Sequence, residues 1–477
     1  MATIALVNPP APMNITRRWR CAVEQGHYLF PPIELCYLAA VIKKEGHTAV
    51  IFDCVADHTT CDELKSKLSR LDPEMVIAIP GYEHINEDIE EMSGLIPDRS
   101  KLVIFGHLAS LYAKELLTHH KRLDVIVLGE PEETVGELAG KAELKDKSGI
   151  LGIAWKDAKG AYVKNKDRPD IKDLDTLPFP DRSQIDAKKY FSGFPDKEPF
   201  TTIVSARGCN YRCTYCVRSY GDVLRQRSVP NVIAEMKECE KTGIKTIRFL
   251  DDTFTARREW VKEFCRMYHE NGFRMKWTAL ARPDNLDEEL IAEMASAGCN
   301  RIMMGVEAGS KRVLVSYARN PASLDNLTSL CKAMRKNGIQ SFAFFLIGGP
   351  DETVEEMKES LAVAKKCNPD FITLNMMRAY PGTTMYDKLV ASGHASFRIL
   401  PYHSTFKANL PDEEVQKFLF TFYRGFYFSP KWFFTHIPMM IRHFPYMVRL
   451  GLEYLSWETR GTNFGKEKPE EREAEKK

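Results

Sequence analysis

Short apolar runs separated by amphipathic segments recur along most of the chain. Ile4–Val7, Ala49–Phe52, Met75–Ile79, Leu102–Phe105 and Val125–Leu128 are each apolar along their length and give way to turn or polar residues. Such runs predict strands buried on both faces, as in a parallel sheet covered by helices. Between the first two, Pro32–Glu45 sets Leu35, Leu38, Ala39 and Ile42 at helical spacing, with Gly46 as the terminating residue. This alternation predicts an α/β, Rossmann-like domain over residues 1–140. Ligands of such sheets meet the carboxyl ends of the strands. Here those ends are Asn8-Pro9-Pro10, Pro80-Gly81-Tyr82, Gly106-His107 and Gly129-Glu130-Pro131-Glu132.

Residues 141–195 are charged as far as Asp175 and then carry Leu177-Pro178-Phe179-Pro180-Asp181, which predicts a linker. A second alternation follows over residues 196–395. Its candidate strands are Thr201–Ser205, Thr246–Leu250, Lys276–Leu280, Arg301–Met304, Ser341–Ile347 and Phe371–Leu374, with helical patterns between them such as Val232–Lys241 and Leu286–Ala297. Six strand–helix units predict a partial (β/α)6 barrel, whose chemistry belongs at the strands' carboxyl ends.

The last part of the chain changes character. Residues 396–462 read as a helical extension, and from Arg424 to Arg449 eight aromatic residues accompany four Lys/Arg with no Asp or Glu. Pro430, Pro438 and Pro445 divide this region into short helices. Three arrangements fit: helices packed on the barrel, a lid over its mouth, and contact of residues 424–457 with an anionic membrane surface. The expectation is packing with partial membrane contact. Residues 463–477 are nearly all polar and predict a disordered tail.

Bulk properties narrow the function. At 477 residues the chain exceeds one ordinary core. With 67 basic and 65 acidic residues it has no global field to attract nucleic acid, which is not an expected partner. Met1–Pro10 lacks the basic start of a secretory signal, and no stretch reaches the roughly 18 apolar residues of a membrane span. The expected location is the cytoplasm, with peripheral membrane contact.

Nine of the twelve cysteines are scattered singly and read as buried thiols. The other three lie together in Ser205-Ala206-Arg207-Gly208-Cys209-Asn210-Tyr211-Arg212-Cys213-Thr214-Tyr215-Cys216, directly after the first barrel strand. Clustered thiolates suit zinc or an iron–sulfur cluster. Structural zinc takes four ligands, usually in two separated pairs, and no second pair lies nearby. A 4Fe–4S cluster normally takes four cysteines, so three leave one iron open.

This motif, with Tyr215 before the last cysteine, resembles that of the radical S-adenosylmethionine (SAM) superfamily. The likeness continues through Asp251-Asp252-Thr253-Phe254, Arg282, Gly305-Val306-Glu307-Ala308-Gly309-Ser310, Gly348-Gly349-Pro350-Asp351-Glu352-Thr353 and Tyr380-Pro381-Gly382-Thr383. It implies that Cys209, Cys213 and Cys216 hold a 4Fe–4S cluster whose open iron binds SAM, and that Asp252, Arg282 and Glu307 contact SAM. The first domain resembles the cobalamin-binding domain that precedes many of these barrels, which implies corrinoid contacts at Asn8, Gly106, Gly129 and Glu130. The motif that supplies a lower histidine to cobalt is absent: Asp57-His58 has the wrong spacing, and His107 stands where relatives carry glycine.

The resemblance covers roughly residues 3–395. It implies a cobalamin-dependent radical SAM enzyme that methylates an unactivated carbon of a small-molecule or lipid substrate, with electrons from a flavodoxin- or ferredoxin-type donor. Two alternatives share the motifs: an oxidative cyclase of the magnesium-protoporphyrin ester type, and a non-catalytic cluster- or corrinoid-binding sensor.

Overall fold

The computed structural model describes residues 1–12, 14–18, 21–24, 28–192, 198–218, 220–449 and 451–452. All five strands expected in the first domain are present. The sheet order is Thr48–Asp53, Thr3–Asn8, Met75–Ala78, Lys101–Phe105, Leu123–Val127, and these five pair in parallel. Helix Ile33–Lys44 covers one face with Leu35, Leu38 and Ile42 buried, and the opposite face is closed by Leu64, Leu68, Ile89 and Met92.

The sheet does not stop at residue 140. Ile153–Lys156 adds antiparallel to Leu123–Val127, and Tyr162–Lys164 adds to that. These edge strands lie in the stretch expected to be a linker. They are short, of four and three residues, and end in lysine, so no continuous apolar run announces them. A hairpin of Ile15–Arg18 with Cys21–Glu24 is likewise unannounced.

The second sheet contains the six expected strands in chain order: Phe200–Ile203, Thr246–Phe249, Lys276–Ala281, Cys299–Glu307, Gln340–Ile347 and Phe371–Met376, all parallel. Among the described residues the first and last strands do not pair, so the barrel is partial. Its core holds a cluster of Phe249, Phe254, Phe264 and Trp277 packed largely edge to face.

The C-terminal region is not helical throughout. Ala395–Arg398 and His403–Phe406 form an antiparallel pair. Helices Asp412–Tyr427 and Pro430–Arg442 follow. The first runs along the open edge of the last barrel strand and buries Val415, Phe418, Phe422 and Phe426. Tyr423 and Tyr427 accept hydrogen bonds from the backbone N–H groups of Leu374 (3.0 Å) and Ile372 (3.1 Å).

The second helix crosses the amino ends of the strands. Trp432 Nε1 donates to the carbonyl of Asp370, the residue before the last strand, and His436 lies 3.1 Å from the Asp370 carboxylate. Lys431 Nζ donates to the carbonyl of Lys366, near the end of helix Val354–Cys367. The extension therefore seals the edge and floor of the barrel; the lid reading is corrected. The tail expected at 463–477 lies outside the described residues.

Candidate functional site

The cysteine loop leaves the first barrel strand at its carboxyl end, and local chemistry fixes its path. Asp251 accepts from the N–H groups of Ser205 (2.7 Å) and Ala206 (3.0 Å) and from the Ser205 hydroxyl. Burial pushes its carboxyl up to about 6, against the pull of those hydrogen bonds. Gly208 turns the chain at φ +79°, where an added Cβ would sit 2.2 Å from the Val223 carbonyl oxygen, so only glycine fits. Beyond it, Thr214 N donates to the Tyr317 carbonyl (3.1 Å), and Met385 N donates to the Thr214 carbonyl (2.8 Å).

Cys213 is buried, while Cys209 and Cys216 are half-buried. The donor set fits a cluster better than one ion. Zn–S bonds of about 2.3 Å put tetrahedral donors about 3.8 Å apart. Among the described residues, the one group of three candidate ligands whose donor atoms all lie within 4.8 Å is Glu90, His119 and His120. Three clustered thiolates with no fourth cysteine beside them in sequence suit a four-iron cluster that keeps one iron open.

Two of the expected SAM contacts converge on Cys213. Arg282 Nη1 stands 3.5 Å from its sulfur, stacks over the Tyr211 ring at 3.8 Å and pairs with Asp284 at 2.8 Å. Glu307 ends the fourth strand at φ +70°, just past a register shift opposite Phe344 and Phe345. A bulge there re-aims the side chain, and a non-glycine residue in the left-handed region marks strain of the kind found at functional sites. Gly305 admits the turned-back side chain: a Cβ there would lie 2.2 Å from Glu307 Oε1. Burial raises the Glu307 carboxyl above its ordinary range, opposed by Arg319 and by a hydrogen bond from Tyr215. Asp252, the third expected contact, lies half-buried just past the second strand.

Arg319 was not foreseen. It is buried, donates to the Gly305 carbonyl, lies 3.9 Å from Glu307 and reaches within 3.9 Å of the Cys213 sulfur. It follows a short helix rather than a strand end, so the barrel rule gave no signal for it.

The carboxyl ends of the first sheet face the barrel across a charged seam. Arg207, two residues before Cys209, forms a bidentate pair with Glu132 (2.5 and 3.1 Å) and stacks on Tyr37 and Tyr220. Arg225 forms a second with Glu130 (2.7 and 3.0 Å), whose carboxylate also accepts from Ile171 N. Glu130, expected to touch a corrinoid, is buried in this pair. Asn8 is likewise engaged internally: it donates to Asp53 (2.7 Å) and accepts from Arg17 (3.1 Å).

The two glycines expected at a corrinoid lie at strand ends of the same sheet. Gly106 (φ +144°) and Gly129 (φ +70°) both take backbone forms that favour glycine, and a Cβ on Gly129 would meet nothing within 4 Å. His107 faces the seam from the other side and hydrogen-bonds Pro381, with Nε2 3.2 Å from where a Gly382 Cβ would stand. Tyr82 and Tyr380 meet edge to face at 5.6 Å beside it. His58 is exposed and away from this seam's contacts.

Residues 203–364 match the model of the Radical SAM superfamily. The chain therefore carries a radical SAM domain behind an α/β domain. It is 27% identical over 412 residues to an uncharacterized methyltransferase of Pyrococcus horikoshii, covering 84% of this chain and 88% of that one. It is 25% identical over 496 residues to the cytidylyl-2-hydroxyethylphosphonate methyltransferase of Streptomyces wedmorensis, covering 89% of each. The fold is similar to that of the radical SAM methyltransferase TsrM from Kitasatospora setae, solved with cobalamin and a 4Fe–4S cluster. That match has a TM-score of 0.65 at 19% identity and covers 82% of this chain and 75% of that one. Both domains thus share one known arrangement.

Proposed function

We propose that the protein is a cobalamin-dependent radical SAM enzyme that methylates an unactivated carbon of a hydrophobic or secondary-metabolite substrate. One observation carries the reading: Arg207 ties the start of the cysteine loop to Glu132, beside the Gly129 strand end of the first sheet. Groups held at those two places would face each other across one seam. When bound, the cluster supplies the electron that cleaves SAM to a 5′-deoxyadenosyl radical, and methylcobalamin supplies the methyl group.

The chain's own residues hold and shield. Cys209, Cys213 and Cys216 hold the cluster. Arg282, Arg319 and Glu307 surround its inner sulfur and present charge to the carboxylate and ammonium of SAM, with Asp252 at the neighbouring strand end. Gly106 and Gly129 let a corrin ring approach the backbone. The sequence lacks the motif by which a histidine of this chain would be offered to cobalt. Closure of the seam excludes water from a reactive radical. Electrons come from a flavodoxin- or ferredoxin-type donor.

The test uses anaerobically reconstituted protein with SAM and dithionite. Formation of 5′-deoxyadenosine and stoichiometric cobalt are expected, as is a substrate mass gain of one methylene per transfer in metabolites compared with and without the gene. Oxidation without methyl gain assigns the cyclase reaction instead. Absence of SAM cleavage assigns a binding or sensing role.

A further inference from the structure

The floor helix has two apolar faces, and only one of them is used. Trp432 and His436 are buried against the barrel. The opposite side exposes Phe434 (71%), Ile437, Ile441 (72%), Phe444 (64%), Val448 and Leu452 (63%). Phe434, Ile437 and Ile441 follow one another at steps of three and four residues, the spacing of one helical face; a turn at His443 ends that helix, and residues 444–449, with Phe444 and Val448 exposed, are again helical. A stripe of large exposed side chains is unusual on a protein surface and marks an interaction site.

Charge decides the occupant. No Asp or Glu occurs from Val415 to Leu452, while Lys417, Arg424, Lys431, Arg442 and Arg449 do. A second copy would meet this face isologously and bring the same cations together. The following residues 453–477 hold seven acidic and six basic residues, a nearly neutral segment that offers no complementary charge. An anionic lipid surface matches both features: aromatic and aliphatic side chains enter the interfacial zone while Lys and Arg meet the head groups. No described helix is long and apolar enough to cross a membrane, so such contact lies in the plane of the surface.

We propose that the helix Pro430–Arg442 and the helical residues 444–449 after it dock the protein on an anionic lipid surface through the exposed side chains Phe434, Ile437, Ile441, Phe444, Val448 and Leu452. The docking face lies at the amino ends of the barrel strands, opposite the cysteine loop. The membrane therefore tethers the barrel by its floor and leaves the mouth and the domain seam turned to the aqueous side. This holds whatever reaction the site performs.

The full chain is floated with vesicles of phosphatidylcholine alone and of phosphatidylcholine mixed with phosphatidylglycerol. Strong recovery on the mixed vesicles, weak recovery on the neutral ones, and loss of binding at high salt are expected. Phe434→Ser and Ile441→Ser should each weaken partitioning about tenfold, and Arg442→Glu about fivefold or more on mixed vesicles only. None of the three should alter the melting temperature or SAM cleavage, because their side chains are exposed and far from the cysteines.

Equal recovery of the Phe434→Ser/Ile441→Ser variant and the parent would overturn the proposal. So would a parent that stays unbound. A concentration-dependent dimer abolished by the double variant, without vesicle binding, assigns the stripe to a second copy. Vesicle binding that appears only after removal of residues 453–477 assigns it to that segment.

Discussion

The two ends of the barrel are built on opposite principles. At the mouth, buried charge is concentrated: Arg207, Arg225, Arg282, Arg319, Glu130, Glu132, Asp251 and Glu307 are all buried around or beside the cysteine loop. At the floor, aromatic side chains from two helices do most of the sealing, beside two smaller buried polar groups, the Asp370–His436 pair and Arg301 against Gln340. Buried charge is costly and is retained only where each group is paired. Its concentration at one end marks the end where chemistry must be held in place, and the floor is where stability comes from packing.

The largest expected effect breaks the mouth alone. Cys213→Ala should abolish 5′-deoxyadenosine formation in reconstituted protein while leaving the thermal transition close to that of the parent; retained cleavage would exclude the cluster assignment. Next is Glu132→Ala, which leaves the buried Arg207 guanidinium only the longer contact to Glu130 (3.6 Å) and should destabilise the fold by about 3 kcal/mol, read from urea midpoints. A loss below about 1 kcal/mol would show that the seam is solvated and that the ends differ less than drawn here.

The third prediction uses pH. Burial lets Asp251 keep its proton up to about 6, whereas an unfolded aspartate releases it near 3.9. The folded state therefore binds the extra proton between those values. The stability this supplies is fully present below about 3.9 and is lost as pH rises through about 6. Parent and Asp251→Asn stabilities should diverge by about 2 kcal/mol between pH 4 and pH 7, with the variant gaining relative to the parent as pH rises. A constant difference would place the carboxyl in water. The smallest effect belongs to the floor side: Tyr423→Phe and Tyr427→Phe should each cost about 1 kcal/mol, the value of one hydrogen bond. A cost near zero would mean that water replaces the hydroxyl at the strand edge.

Much of this architecture was legible in the residues. Strands buried on both faces leave uninterrupted apolar runs, so eleven of the parallel strands could be placed from pattern alone. Three clustered thiols after a strand are equally visible. Ile153–Lys156 and Tyr162–Lys164 were hidden because edge strands alternate weakly and look like charged linker. The pairings of Glu130 and Asn8 were not legible because their partners lie far away in sequence: Arg225 lies 95 residues from Glu130, and Asp53 lies 45 from Asn8. No local pattern encodes such pairs. Arg319 was missed for the same reason, since its value comes from Gly305, Glu307 and Cys213 arriving beside it.

The two tyrosine hydroxyls on the last barrel strand have one more consequence. A partial barrel leaves a strand edge whose free N–H groups offer a template to any other extended chain, the usual start of edge-to-edge aggregation. By occupying the N–H groups of Ile372 and Leu374, Tyr427 and Tyr423 keep the barrel open in topology and closed to strand exchange. The chain has no need of further strands to be safe at that edge.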